Sequence, residues 1–435
     1  MDSARTTSFV KTLATAVVGL FAFSACSQAP EEPALRSDVE YQPASLQEAS
    51  ALDDVVEATT ALGADALQFH DEHQNIVLSP ASITVAFAML AEGAEGAAAA
   101  ELDAFLGATG TERTVAFSAL QSALAAYDGD PKIIQDDELP EIPMVHMANQ
   151  AVVRDNGDVK DSYLDTLAEH YDAGVQEVDF SSAAAQQLLD DWVNYHSGGL
   201  IEESAVEPDE NTLMVLQNAI LLAAAWASPF EESETQDRDF TLSTGEVIQT
   251  AAMRQVLSAD YLEYDGAKII RLPYTEGFAM DVVLPAEGTS ERALSTDAWL
   301  EISERFEQAQ EDTEVDLVMP ILDIEAPAET SDLKPFLIED QGLEETMLGN
   351  SLHGIMESDL WIEGVDHQAV LQVDEAGTVA AAVTVIEVAE MSAPVIDDPP
   401  IEMHIDRPFA MRIVHTDTQW PLFMAAISDP RSDHD

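Results

Sequence analysis

Basic residues are scarce. The 435-residue chain has 17 Lys and Arg against 83 Asp and Glu, a formal net charge of −66 at pH 7. So acidic a chain excludes nucleic acid as a partner, because phosphate contacts demand clustered Lys and Arg. It is equally ill matched to an anionic membrane surface. Cysteine is scarcer still. Cys26 is alone, which excludes a disulfide framework, a Cys-rich zinc site and an iron–sulfur site. The familiar catalytic spacings are missing too: there is no G-x-S-x-G elbow, no H-E-x-x-H pair and no P-loop. A scattered Ser/His/Asp triad stays open by sequence alone, with nothing pointing to one. The nearest approach to a metal cluster, His70-Asp71-Glu72-His73, lacks the same-face spacing of a helical zinc site. No metal or cofactor is expected.

Apolar content is ample. Hydrophobic residues make up 46% of the chain, more than a disordered acidic tail carries. The length suits one large domain or a few ordinary ones. We read the acidic coat as an adaptation to salt, which screens the self-repulsion of so many like charges.

The N-terminus has the order of a secretory signal. Arg5 and Lys11 precede an apolar stretch from Leu13 to Ala25 that is too short to span a bilayer comfortably. It ends Phe23-Ser24-Ala25-Cys26, which resembles a bacterial lipoprotein signal with Cys26 as the lipidated first residue. Phe23 departs from the aliphatic residue usual there, and ordinary cleavage nearby is the alternative. Residues 1–25 are therefore expected as signal and 26–49, polar and holding Pro30, Pro33 and Pro43, as an extended tether.

From about Ala49 to Pro430 no second linker and no internal repeat appears. Helical spacing of apolar residues marks 53–70, 97–106, 113–127 and 183–196. Ser79 and Pro80 read as N-cap and first residue of another helix. Strand-like runs fall at 145–153, 213–225, 279–284, 314–319 and 369–373. Early helices and long apolar strands without βαβ alternation predict an α+β domain around a large sheet.

One segment is chemically odd. Between Glu375 and Glu387 the chain carries no charge and no Pro, although 23% of its residues are charged. Small residues lead into β-branched ones. As a strand, it would place Thr378, Ala380, Ala382, Thr384, Ile386 and Val388 on one uncharged face. A permanent central strand is the simplest reading. The flanking Met391, Ser392, Pro394 and the run Asp397-Asp398-Pro399-Pro400 instead suit an exposed loop.

Seven segments, in order, resemble the serpins over nearly all of residues 50–430. EAGTVAAAVT (375–384) is similar to the serpin hinge, with Glu375, Gly377, Thr378, Ala380, Ala381 and Ala382 in its pattern. NIVLSPASITVAFAMLAEG (75–93) places Ser79 and Ser82, and QNAILLAAAW (217–226) places Asn218 and Trp226, at family shutter and breach positions. His367 stands where the family keeps a shutter His. MANQAVV (147–153), DRPF (406–409) and PLFMAAISDP (421–430) complete the set. Each polar member also reads as a routine cap or satisfied buried group, and Trp226 as packing.

The resemblance implies a serpin fold: helices, three β-sheets with a large central one, and an exposed reactive-centre loop over 375–396. Counting from Glu375 as the family pattern is counted puts the scissile bond at Met391–Ser392. It implies a suicide inhibitor of serine endopeptidases. Met391 suits elastase-, chymotrypsin- or subtilisin-like targets, and a non-inhibitory binding or structural role is the alternative. The 17 residues from Glu375 to Met391 span at most about 56–61 Å when extended. Insertion would thus drag a tethered protease roughly its own diameter. Two departures stand out. Val379 replaces the usual hinge Glu, and Ile321 stands where the family has a basic partner for Glu375, so Glu375 is expected to lack that partner. A monomer outside the cytoplasm, lipid-anchored or secreted, is the expected setting.

Overall fold

The computed structural model describes residues 35, 37–70, 73–135, 139–155, 157–308, 313–325, 332–357, 360, 362, 365, 367–378 and 399–431. Helix α1 (Leu52–Phe69) opens the body, and the short strand β1 (Ile76–Leu78) leads into α2 (Pro80–Ala91). Ser79 caps α2 as its sequence requires: the hydroxyl oxygen accepts the Ser82 N–H at 3.1 Å, and Pro80 fills the first turn, where no N–H partner is needed. Eleven residues of α2 are buried, so the helix is a core element on all sides. Gly63 lets α1 lie against it. A Cβ there would fall 2.8 Å from the Pro80 side chain and 2.3 Å from Met424 Sδ.

Helices α3 (Gly96–Phe105) and α4 (Gly110–Leu124) follow, the latter ending in 3-10 turns at Ala125–Tyr127 and Pro131–Gln135. Then come β2 (Met144–Arg154), α5 (Asp161–Tyr171), β3 (Val175–Val178), α6 (Ala183–His196) and β4 (Met214–Ala225). The next strands are β5 (Gln236–Thr241), β6 (Val247–Tyr264), β7 (Ala267–Pro273) and β8 (Phe278–Leu284). Helix α7 (Thr296–Gln308) precedes β9 (Thr313–Pro320) and β10 (Leu322–Glu325). Two short helices, α8 (Lys334–Glu339) and α9 (Glu344–Leu348), lead to β11 (Val370–Val373) and β12 (Gly377–Thr378). Strands β13 (Ile401–His404), β14 (Phe409–His415) and β15 (Trp420–Ile427) close the chain.

The strands form a nine-stranded network in the order β1-β15-β14-β8-β7-β6-β9-β13, with β5 also on β6. A six-stranded sheet runs β10-β11-β12-β4-β2-β3. The implied three sheets are thus two hydrogen-bonded networks among the described residues. The reason is the 18-residue β6, whose first part pairs β5 and β9 while residues 260–264 pair β7. Deep in the larger network Asp281 takes the guanidinium groups of both Arg271 and Arg412, at 2.6 and 2.8 Å, which satisfies a carboxylate that could not be buried alone. The main core lies between this network, the inner face of the six-stranded sheet, and α1 and α2.

The expected tether needs correction. Leu35 exchanges two backbone hydrogen bonds with Val175 at the edge of β3. The Gln42 N–H donates to Glu169 O, and Ala44 N–H to Ser118 Oγ. Leu35, Ala44 and Leu46 pack on the core. The described part of 26–49 therefore belongs to the folded body: three apolar side chains and a sheet edge outweigh a polar, Pro-containing composition. The loop residues 379–398, with Ala380, Ala381, Ala382, Met391 and Ser392, lie outside the described residues, as do the signal and Cys26.

Candidate functional site

Among the described residues, the middle of the six-stranded sheet is bridged by β12 alone. Strands β4 and β11 are not neighbours; β12, only two residues long, stands between them. Gly377 pairs Ala225, and Thr378 pairs Ala224 on β4 and Val373 on β11. Below that point, no register pair joins β4 to β11 among the described residues.

A tight turn delivers β12 into the gap. The Asp374 carboxylate accepts the N–H groups of Ala376 and Gly377 at 2.8 and 3.0 Å, and the Asp374 N–H donates to Gly377 O. Burial raises the Asp374 pKa and the Glu375 charge adds to this, while the two N–H donors oppose them. Only glycine fits at 377, because a Cβ would sit 2.1 Å from Ala224 O. Thr378 is 1% exposed, and its hydroxyl meets the Tyr274 hydroxyl at 2.5 Å. Tyr274 stacks on Trp226 with ring centroids 4.6 Å apart and planes within 7°. Trp226 grips the turn twice: its backbone N–H donates to Ala376 O and its indole N–H to Asp374 O, each at 2.9 Å. Trp226 thus packs on Tyr274 and holds the turn at the same time. Glu375 is not left alone. Its carboxylate accepts the Thr235 hydroxyl and its carbonyl accepts the Phe230 N–H, so a neutral donor stands in for the missing base.

Lower in the gap the four expected shutter residues meet. The Ser79 N–H donates to His367 Nε2 at 2.9 Å. The Ser82 hydroxyl donates to Asn218 Oδ1. Asn218 in turn donates to Asn149 on β2, and Asn149 donates to Gln121 on α4 at 3.2 Å. One polar chain thereby ties both banks of the gap to the start of α2. Full burial lowers the His367 pKa to about 4, so the ring is neutral at pH 7 and its Nε2 lone pair is available to Ser79.

Two cavities follow the same line. One touches Ser79, Ile201, Asn218, His367 and Gln368. The other, more apolar, is bounded by Ile83, Phe87 and Leu90 of α2, Met214 and Leu216 of β4, and Val365.

Tyr274, Thr235 and Gln121 carry no signal in the sequence, whereas Asn149 lies within the family-like segment MANQAVV. Tyr274 lies 104 residues from Thr378, and Thr235 lies 140 from Glu375. No local pattern marks them. Among the described residues no group of three or more His, Cys, Asp or Glu side chains converges as a metal site.

A family model described as serpin (serine protease inhibitor) matches residues 57–430. An uncharacterised serpin-like protein of Thermococcus kodakarensis is 29% identical over 365 residues, 82% of each chain. The native-state crystal structure of the thermophilic serpin tengpin superimposes with a TM-score of 0.71 at 21% identity, over 89% of this chain and all of that one. A human thyroxine-binding globulin complexed with thyroxine gives 0.73 at 23%, over 88% and 100%.

Proposed function

The chain belongs to the serpin family, and from that premise we propose that it is a suicide inhibitor of serine endopeptidases. In this reading the protease Ser attacks the Met391 carbonyl, the Met391–Ser392 bond breaks, and an acyl-enzyme forms. The freed arm then enters the gap between β4 and β11. The protease is carried with it, its active site is distorted, and the ester survives.

The observation that carries this is the seating of Gly377 and Thr378 between the two strands. Continuing that antiparallel register sets Ala380 opposite Leu222, Ala382 opposite Ile220, Thr384 opposite Asn218, Ile386 opposite Leu216 and Val388 opposite Met214. Opposed residues share a face, so these five would face inward, as Thr378 does. The small pair enters first. Ile386 and Val388 arrive where Met214 and Leu216 line the apolar cavity. Burial of two such side chains is worth about 3–6 kcal/mol. The uncharged run meets the requirement that nothing buried in the gap be ionised without a partner.

Met391 is unbranched and apolar, which fits elastase-, chymotrypsin- or subtilisin-like specificity pockets. The leader 1–25 and Cys26 support a place outside the cytoplasm, secreted or lipid-anchored in a bacterial envelope. The alternative, a non-inhibitory binding or structural role, gains support from the thyroxine complex of thyroxine-binding globulin but does not call for an uncharged arm in register with a cavity. The test mixes the secreted domain with a chymotrypsin-like protease. An SDS-stable complex and a small fragment beginning at Ser392 are expected. Clean turnover of the loop with full protease activity would overturn the proposal.

A further inference from the structure

Helix α6 lies on the outer face of the six-stranded sheet, away from the main core. Two satellite clusters hold it: Val152, Leu189 and Val215 in one, Trp192, Val193 and Ala219 in the other. The chain leaving α6 then crosses the gap. Gln368, just ahead of β11, accepts the Ala205 N–H at 3.0 Å and donates to Glu203 O at 3.2 Å. A strand entering in the register above would turn Val379, Ala381, Val383 and Val385 toward this outer face. The crossing must lift to admit it, and α6 is its root.

At the last residue of α6 a second tie reaches the sheet. His196 Nδ1 lies 2.8 Å from His146 Nε2 on β2, and His146 Nδ1 lies 2.7 Å from Asp128 Oδ1. The two imidazole planes are within 6°. We propose that the His146–His196 contact is a proton-operated latch that holds α6 on the sheet at neutral pH and releases it in mild acid, so setting how readily the loop enters. The proposal rests on the insertion reading above.

The chemistry of the contact supports this. A hydrogen bond between two ring nitrogens needs one N–H and one lone pair. Asp128, an acceptor, fixes the His146 proton on Nδ1, which leaves Nε2 to accept from His196 Nδ1–H. A single extra proton on His146 can be matched by Asp128. A proton on each ring sets two donors and two like charges against one another, and the bond is lost. The other groups around His196 do not replace it. Trp192 and Tyr195 of α6 present rings at 4.5 and 5.0 Å. Lys132, from the 3-10 turn, lies over Tyr195, and Gln135 beside it donates to Gly198 O.

Burial, and then the charge of His146, lower the His196 pKa to about 3, against a smaller opposing pull from Asp128. A released, solvated imidazole titrates near 6.5. Between these limits the released helix binds a proton that the latched one does not. Latching therefore weakens as pH falls through that window, by at most about tenfold per pH unit.

His367 also titrates in acid, so the readout is a ratio between two proteins that both keep it. His196→Phe retains the ring packing and removes the proton and the bond; His146→Gln breaks the contact from the strand side. Hydrogen exchange of residues 183–206, corrected for intrinsic rate, reports the latch. The rate at which the uncleaved loop withdraws from protease attack reports its consequence. At about pH 8 both rates are expected to be about fivefold higher in either variant than in wild type, the worth of one typical hydrogen bond. Toward about pH 5 the wild type should rise to meet His196→Phe, while His146→Gln, which keeps the buried His196, should rise along with it. Equal exchange at the higher pH, or a wild-type to His196→Phe ratio that ignores pH, overturns the latch. A pH-dependent exchange ratio with no matching change in loop withdrawal refutes the control of the loop and leaves the latch; absence of an SDS-stable complex in all three proteins is the separate result that refutes the insertion reading.

Discussion

Thr378→Arg is the most informative perturbation. Thr378 is 1% exposed, paired on both sides, and its side chain meets one polar atom, the Tyr274 hydroxyl. A neutral phenol cannot neutralise a guanidinium. Leaving a buried charge uncompensated costs about 3–5 kcal/mol, which slows the step that buries it by about 10²–10⁴-fold. The arginine does not have to unfold the protein, because Thr378 sits at the mouth of the gap and can be expelled to solvent. Entry of the arm behind it is what suffers. Ester hydrolysis should then outrun insertion, so that the protease recovers after each cleavage. The assay titrates a chymotrypsin-like protease with wild type and variant, following residual activity and SDS-stable adduct. Wild type should trap near one-to-one, while the variant is consumed as substrate with intact activity at large molar excess. Thr378→Val is the control. It keeps the volume, leaves the Tyr274 hydroxyl without its partner at a cost of about 1–3 kcal/mol, and should still trap. A stable one-to-one adduct with the arginine variant would refute the reasoning.

Further outcomes follow from the same geometry. His367 has its pKa lowered to about 4 from about 6.5 in the unfolded chain. The shutter should therefore lose up to about 3 kcal/mol as pH falls from 6.5 toward 4 and be unaffected above that window. Denaturant midpoints of wild type should fall across it, and those of His367→Gln should be flatter. Tyr274→Phe removes the partner of the Thr378 hydroxyl and should lower the thermal midpoint of the native form by about 1–3 kcal/mol equivalent, with the Trp226 stack retained as judged by near-ultraviolet circular dichroism. Peroxide treatment should convert Met391 to the polar sulfoxide and reduce the rate of protease inactivation; an unchanged rate after confirmed oxidation would place the scissile bond elsewhere.

Much of the scaffold could be read from local pattern. The helix at 183–196 was marked at its observed bounds, because Leu189, Trp192 and Val193 recur on one face. The Ser79-Pro80 start of α2 carries its own signal in the cap. Elsewhere, local pattern misled. The helix expected at 113–127 begins at Gly110 and yields to a 3-10 turn after Leu124. Strand β6 gives no period-2 signal because polar residues fall on both of its faces, Gln249 and Gln255 on one and Arg254 and Ser258 on the other, and no period shows that it serves two sheets. The hinge and shutter positions came from family resemblance. Two of their physical partners did not: Tyr274 and Thr235 act through contacts between residues far apart in the chain, and composition says nothing about which strands will be neighbours. The tether expected over 26–49 fails in its described part for the converse reason: its polarity is plain, but the open edge of β3 that Leu35 pairs with leaves no signal in the sequence.

The turn at Asp374–Gly377 has a further consequence in terms of nucleation and growth. Starting a new strand pair demands that a loop be closed and a first register chosen before any contact rewards it. Here both have happened in the resting molecule, since Gly377 and Thr378 are already hydrogen-bonded to strands on either side. In the proposed insertion every later residue would face a propagation step, adding contacts to an existing end without a search. A free peptide of the same sequence would have to find its register unaided. The covalent arm would therefore be a primed zipper, and its speed against ester hydrolysis would depend on what stands in its path, not on how it begins.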